Sequence, residues 1–488
     1  MPALLLRLVR AAALLMLCQP AFGAATLAVD WADLARRDLQ FAADAIASGH
    51  VGYIDGQPSV TGPHAAGLRA GLAEVSQVRS EQDYLRLMQR FIAGFGDPHT
   101  AIDLRLAPRG WTGIMLDQVD GRYRVVWTEP GWPNALPPTG AVARTCDDVY
   151  TGTYLHLQVA PYSNRSPEYP DAFSSLAQQV MFDQGLGFTP AQCVFELQDG
   201  SLRRYDLPLR AVPGDVSQER LTALRPTYRA SARPIGVTAL APGRYWVGMP
   251  DFHGERSGAA YEALYPRLTA LTQPVWVVFD LRGNGGGDST WGTRALDALF
   301  GQAYAEQLSA AGRMEKYLIA DSATVKVLEG YIAAPAYAFS RESNIRDLAR
   351  VRSAIASGAK LAKVSAARTG PNQLLPARML ARPHGPRLAA IIDRNCFSSC
   401  MSFVLRLRAT GDTVLLGEPT IGFSPFGETT RTVLPSGRGT LLITSALYRT
   451  DQATREPFVP DHSYRGRMTD DAALAAWVNR TLDAIEPR

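Results

Sequence analysis

Between Asp30 and about Phe95 the apolar residues recur at helical spacing. Ala35, Leu39, Ala42 and Ile46 share one face ahead of Gly49, and Tyr84, Leu87, Met88 and Phe91 follow a capping box at Ser80 to Asp83. The pattern predicts an N-terminal helical region over 26–109. It runs out at "FGDPHTAID", where Gly96, Asp97 and Pro98 break the helix and leave His99 on a loop. Over 110–212 the runs shorten to "GWTGIML", "YRVVWT" and "CVFELQDG", with Pro and Gly clusters between them, which predicts a small β-rich domain. Over 213–488 the character changes again: "RYWVGM", "VWVVFD", "RLAAIID" and "DTVLLG" are almost continuously apolar and alternate with helical stretches. A strand with one wet face would alternate apolar and polar residues, so these runs predict strands covered on both faces, in an α/β core. Residues from about 302 to 380, rich in Ala, Arg and Ser, read as a mostly helical insertion placed to act as a lid.

Composition agrees with a multidomain globular chain. It has 488 residues, 46% of them apolar and 20% charged, enough to bury real cores. The first 25 residues carry Arg7 and Arg10, an apolar run from Ala11 to Cys18 and then small residues, the pattern of a secretory signal peptide. That run is too short to span a bilayer, and no other stretch approaches the ~20 apolar residues a span requires. The expected product is exported, periplasmic or extracellular, with no stable membrane span. Net charge is +4, and +2 once the two leader arginines are removed, which argues against a nucleic-acid partner. Outside the leader the cysteines are Cys146, Cys193, Cys396 and Cys400; an even number in an exported chain favours two disulfides, with three possible connectivities.

Two segments could carry chemistry. The strand "VWVVFD" runs into "LRGNGGGD", where four of the five residues from Gly283 to Gly287 are glycine. Such a backbone can approach a ligand closely and present N–H groups to an anion, or it can be a plain strand-to-helix turn. The later strand "RLAAIID" is followed by "RNCFSSC" and then the helical pattern Phe403, Val404, Leu407. A serine beyond the carboxyl end of a buried strand lies where α/β proteins place reacting groups, although Ser398 or Ser399 could equally be a helix N-cap. No HExxH-type cluster is present, so neither a metal nor a cofactor is expected.

Taken together, "FDLRGNGGGD", "IIDRNCFSSCMSFVLRL", "GEPTIG", "FVPD" and "FGDPHT" resemble the carboxyl-terminal processing (tail-specific) serine peptidases and their tricorn-like relatives. The resemblance implies a ClpP/crotonase-like α/β core with an N-terminal helical region and an inserted PDZ-like β-rich domain. It implies Ser398 as nucleophile, and an oxyanion hole from the backbone N–H groups of Ser399 and Gly286. Well-known members place a lysine base shortly after "GEPT", but Phe423 stands there in this chain. The tricorn-like branch uses a histidine from the N-terminal region instead, which makes His99 the expected base; its ordinary pKa suits accepting a serine proton near neutrality. Glu456 matches the approximate place of the acid that orients this histidine, with Asp97 and Glu428 as competitors. The implied substrate is a peptide or protein, captured in part by the PDZ-like domain through strand addition; the stretch from Tyr162 to Gly187 reads as an insertion in that domain.

Within this frame Cys396 and Cys400 are not a redox pair, which would use C-x-x-C spacing. A bridge between them would brace the helix mouth that holds Ser398, and Cys146 with Cys193 would clip the β-rich domain. Two rival readings stand: a peptide- or lipid-binding relative that has lost turnover, and an esterase-type acyl hydrolase on the same serine.

Overall fold

The computed structural model describes residues 29–105, 110–119, 121–165, 170–211, 233–311, 315–364, 385–422, 424–449 and 457–485. The expected leader, Phe423 and Glu456 lie outside these residues.

The α/β core is built on a six-stranded sheet, ordered Gly236–Ala241, Arg244–Gly248, Trp276–Asp280, Arg387–Ile392, Val414–Gly417, His462–Ser463. The first pair is antiparallel and every other pairing is parallel. The apolar runs read from the sequence are its central strands, and both faces are covered. Val247, Val277, Phe279, Leu388, Ala390 and Ile392 point to one side, against the helices Gly254–Thr269, Thr290–Phe300 and Ser399–Arg408. Their chain neighbours Trp246, Trp276, Val278, Ala389 and Ile391 point to the other, against Leu474, Val478 and Leu482 of the helix Asp471–Ala484. Each large apolar side chain buried this way contributes about 1.5–3 kcal/mol of transfer free energy.

The fully buried Arg282 closes this second layer. Its Nε and Nη2 donate to the two oxygens of Asp280 at 2.8 and 2.6 Å, its Nη1 donates to the carbonyl of Met468, and Nη2 lies 2.8 Å from Asp471 Oδ1. One guanidinium thus pins the start of the last helix to the end of the strand that leads into the glycine loop.

The N-terminal helices Trp31–Gly49, Pro58–Glu74 and Glu81–Ala93 form as expected, each through its own local signals. Asp30 and Ser80 cap the first and third by accepting from the N–H groups of Asp33 and Asp83, and Pro58 opens the second. The β-rich region carries an antiparallel sheet ordered Ile114–Val119, Arg122–Thr128, Val142–Cys146, Gln192–Glu196, Leu202–Asp206, and the stretch after Tyr162 contains the helix Pro170–Val180. Cys146 and Cys193 face each other in register on neighbouring strands and are bridged.

A second sheet, not foreseen from the sequence, ties the distant parts together. The long strand Gly439–Arg449 pairs with Ala101–Leu104 from the N-terminal region, with Phe426–Val433, and with Glu315–Ile319, which in turn pairs with Leu361–Lys363. The insertion is therefore helical, as in Ser322–Ala333 and Arg341–Ala356, but anchored by two strands.

Candidate active site

Three segments converge at the carboxyl ends of the central strands. The first is the glycine loop after Trp276–Asp280. Gly286 has φ 100°, and a Cβ on it would sit 2.8 Å from Ser398 Cβ and 3.0 Å from Ser399 N, so only glycine allows this approach. The second is the loop after Arg387–Ile392. Here Ser398 adopts φ 56° and ψ −122°, a region that disfavours side chains, at the mouth of the helix Ser399–Arg408. Ser402 N donates to Ser398 O and Cys400 N to Phe397 O, both at 3.1 Å. The Cys396–Cys400 disulfide closes the turn around Ser398, and both of its cysteines are fully buried.

Polar side chains weld the two loops. Buried Asp393 accepts from Gly283 N at 3.0 Å and from Asn395 N at 2.9 Å. The main-chain carbonyl of buried Asn284 accepts the N–H of Phe397 (3.2 Å), while its side chain donates through Nδ2 to Met249 O (2.8 Å) and accepts the N–H of Gly286 on Oδ1 (2.9 Å). The Gly286 N–H, expected at the oxyanion hole, is thus engaged by Asn284 in this state. Arg394 makes a two-pronged contact with Glu418 at 2.9 and 3.0 Å and reaches Asp117 of the β-rich sheet at 2.7 Å.

The third segment carries His99. Its ring lies against Phe397, the residue before Ser398, with centroids 4.3 Å apart. The loop is set by Asp97, whose Oδ1 accepts from His99 N at 3.2 Å. His99 Nδ1 is buried without a hydrogen-bond partner, 3.9 Å from Asp97 Oδ1. Burial lowers the His99 pKa below the ordinary histidine value, with the charges of Asp97 and Glu428 acting in opposition. Among the described residues no hydrogen bond joins Ser398 Oγ to the imidazole.

Of the acids weighed as partners for His99, Glu456 lies outside the described residues. Asp97 is beside the ring. Glu428, in a strained backbone at φ 52°, is ion-paired with Lys316 at 2.7 Å, and that pair holds its carboxyl below the usual range. Sequence reasoning missed Asn284, Asp393, Arg394 and Phe397; only the position of Asn284 within the glycine run marked any of them. Among the described residues no three His, Cys, Asp or Glu side chains cluster as a metal site, and no helix is long and apolar enough to cross a membrane.

Residues 246–462, which contain the glycine loop and the Ser398 loop, match the model of peptidase family S41. The α/β core is a peptidase family S41 domain. The protein is accordingly a serine-type peptidase, a hydrolase whose substrates are peptides or proteins. Mature CPAF shares the fold: its crystal structure aligns over 93% of this chain and 97% of its own, at 13% identity and a TM-score of 0.65. CPAF complexed with lactacystin aligns over 93% and 99%, at 12% identity and a TM-score of 0.64. The photosystem II D1 C-terminal processing protease aligns over 88% and 92% at 16% identity, with a TM-score of only 0.35. Among curated proteins none matches the chain.

Proposed function

We propose that this S41 domain hydrolyses peptide bonds with Ser398 as nucleophile and His99 as general base. The supporting observation is the packing of the His99 ring on Phe397, which brings an imidazole from the N-terminal region within one residue of a serine held at a strained helix mouth. Ser398 Oγ attacks the scissile carbonyl carbon while His99 takes the hydroxyl proton, and the carbonyl electron pair moves onto oxygen. The N–H of Ser399 receives that oxyanion, joined by the N–H of Gly286 once it leaves Asn284 Oδ1. Collapse of the tetrahedral species expels the amine, protonated by His99, and water then releases the acyl group by the same steps in reverse order.

The protein acts outside the cytosol, after loss of residues 1–25. Its two disulfides and the leader pattern both favour that compartment. The β-rich domain works as a PDZ-like module: Ile114–Val119 ends its sheet and has the helix Pro170–Val180 packed on it, an arrangement suited to receiving an extended peptide.

A second reading, a binding relative without turnover, draws on the absence of a Ser398–His99 hydrogen bond and on the engaged Gly286 N–H. Fluorophosphonate labelling followed by peptide mapping separates the two. The hydrolase reading expects the label on Ser398 and a folded, inactive, unlabelled Ser398→Ala. A protein that takes no label, or whose Ser398→Ala variant still cleaves peptides, overturns it.

A further inference from the structure

We propose that His50 is a positioning residue for His99, acting through Thr100 and Asp97. The inference rests on the reading of His99 as the base. Four buried side chains form a chain whose hydrogen-bond directions are fixed by chemistry. His50 begins the short helix Val51–Ile54 and accepts the N–H of Gly52 on Nδ1 at 3.0 Å, so the ring proton of the neutral imidazole sits on Nε2. That N–H faces two hydroxyls, Thr100 Oγ1 and Thr444 Oγ1, each at 3.0 Å. Thr100 in turn donates to Asp97 Oδ2 at 2.9 Å, because a carboxylate can only accept. The other oxygen, Asp97 Oδ1, accepts the main-chain N–H of His99 at 3.2 Å, and Thr100 N donates to Asp97 O at 3.0 Å. His50, Thr100 and Thr444 have no exposed surface, and Asp97 has 7%.

The grip is on the main chain on both sides of His99, so it fixes where the ring leaves the backbone and how it meets Phe397. Its far end is equally fixed: His50 packs its ring against Phe95 and Phe426, with centroids 6.4 and 5.0 Å away. Thr444 lies on Gly439–Arg449, the strand that also pairs with Ala101–Leu104 immediately after this loop. A core of this kind is rigid only while every member is satisfied. An angstrom of slack at the base can cost on the order of a hundredfold in rate, whereas substrate contacts made elsewhere stay intact. The base would therefore lose its aim without the enzyme losing its substrate.

The test uses the full chain and reads kcat per titrated active site, so that a fraction of misfolded molecules does not count. Thr100→Val keeps the volume and removes the hydroxyl. It should lower kcat by about tenfold or more, as expected for a misplaced base, with KM within about twofold, and Thr100→Ser should restore the rate. His50→Phe keeps a ring between Phe95 and Phe426, removes both nitrogens, and should reproduce the loss if Thr100→Val does not fold. Wild-type kcat per site in either folded variant, or a Thr100→Ser as slow as Thr100→Val, overturns the proposal. His99→Ala in parallel separates the two levels: if it is inactive while Thr100→Val is normal, only the positioning role fails, and if it is fully active, the base assignment itself fails.

Discussion

His50 also makes the fold sensitive to acid, and the size of the effect follows from its burial. Enclosure of the ring lowers its pKa from 6.5 to about 4, with the charge of Asp97 opposing the shift only in part. In the unfolded chain the same imidazole takes a proton as pH falls through 6.5; in the folded protein it stays neutral until about 4. Between these values the unfolded state binds more protons, so stability must fall as pH falls, while above pH 7 the group has no effect. The gap of about 2.5 units, at 1.36 kcal/mol per unit, amounts to about 3 kcal/mol in full and on the order of 2 kcal/mol by pH 5. His99, whose pKa burial also lowers, adds to the same trend, so the wild type alone does not isolate His50. The assay is urea unfolding of wild type and His50→Phe at several pH values between 7 and 4.5, followed on the transition of the N-terminal core. The variant is expected to be less stable at pH 7, since Thr100 and Thr444 lose a donor, but to lose on the order of 2 kcal/mol less on acidification. Parallel pH dependences in the two proteins would refute the reasoning.

Further outcomes can be checked on single variants. His99→Ala should lower kcat by several orders of magnitude with little change in KM, and because burial depresses the pKa of His99 the wild-type rate should hold to lower pH than a free imidazole would allow, as read from a kcat profile between pH 4 and 8. Gly286→Ala should abolish peptide hydrolysis and fluorophosphonate labelling together, since the new methyl meets Ser398 Cβ at 2.8 Å and the backbone at φ 100° disfavours any side chain. Arg282→Ala should cost about 3–5 kcal/mol, measured as a shift of the denaturant midpoint, because it strands the buried Asp280 carboxylate and frees the last helix.

The central sheet was legible because its strands are covered on both faces, which leaves "VWVVFD" and "RLAAIID" no reason to alternate. Phe279 and Val278 both read as apolar although they point to opposite layers. The second sheet escaped notice for the opposite reason. After two buried positions, Phe426–Val433 alternates only half-buried with exposed residues, and its sequence "FGETTRTV" is polar at most of them. Glu315–Ile319 is five residues long, sits between helices, and finds its partner more than a hundred residues later. Neither strand is a stable unit by itself; each is specified by pairing with Gly439–Arg449.

The same distinction separates the parts of the site. The glycine loop and the serine pair stand out because strand, loop and helix are consecutive in the chain, but local sequence left Ser398 and Ser399 equally readable as a helix N-cap, and only the family resemblance singled out Ser398. The position of His99 relative to Ser398 has no local signature. It follows from the pairing of Ala101 with Leu442 across the second sheet, which pulls the loop before Ala101 toward the core, and from the anchoring of Asp97 to Thr100 and His50. A motif search finds the histidine but not the reason that it arrives. That reason is a long-range strand pairing together with a buried polar chain, and both depend on residues such as Thr100, Thr444 and His50 that carry no chemical signal of their own. Variation at these positions is therefore expected to affect turnover while the serine, the glycines and the histidine all remain in place.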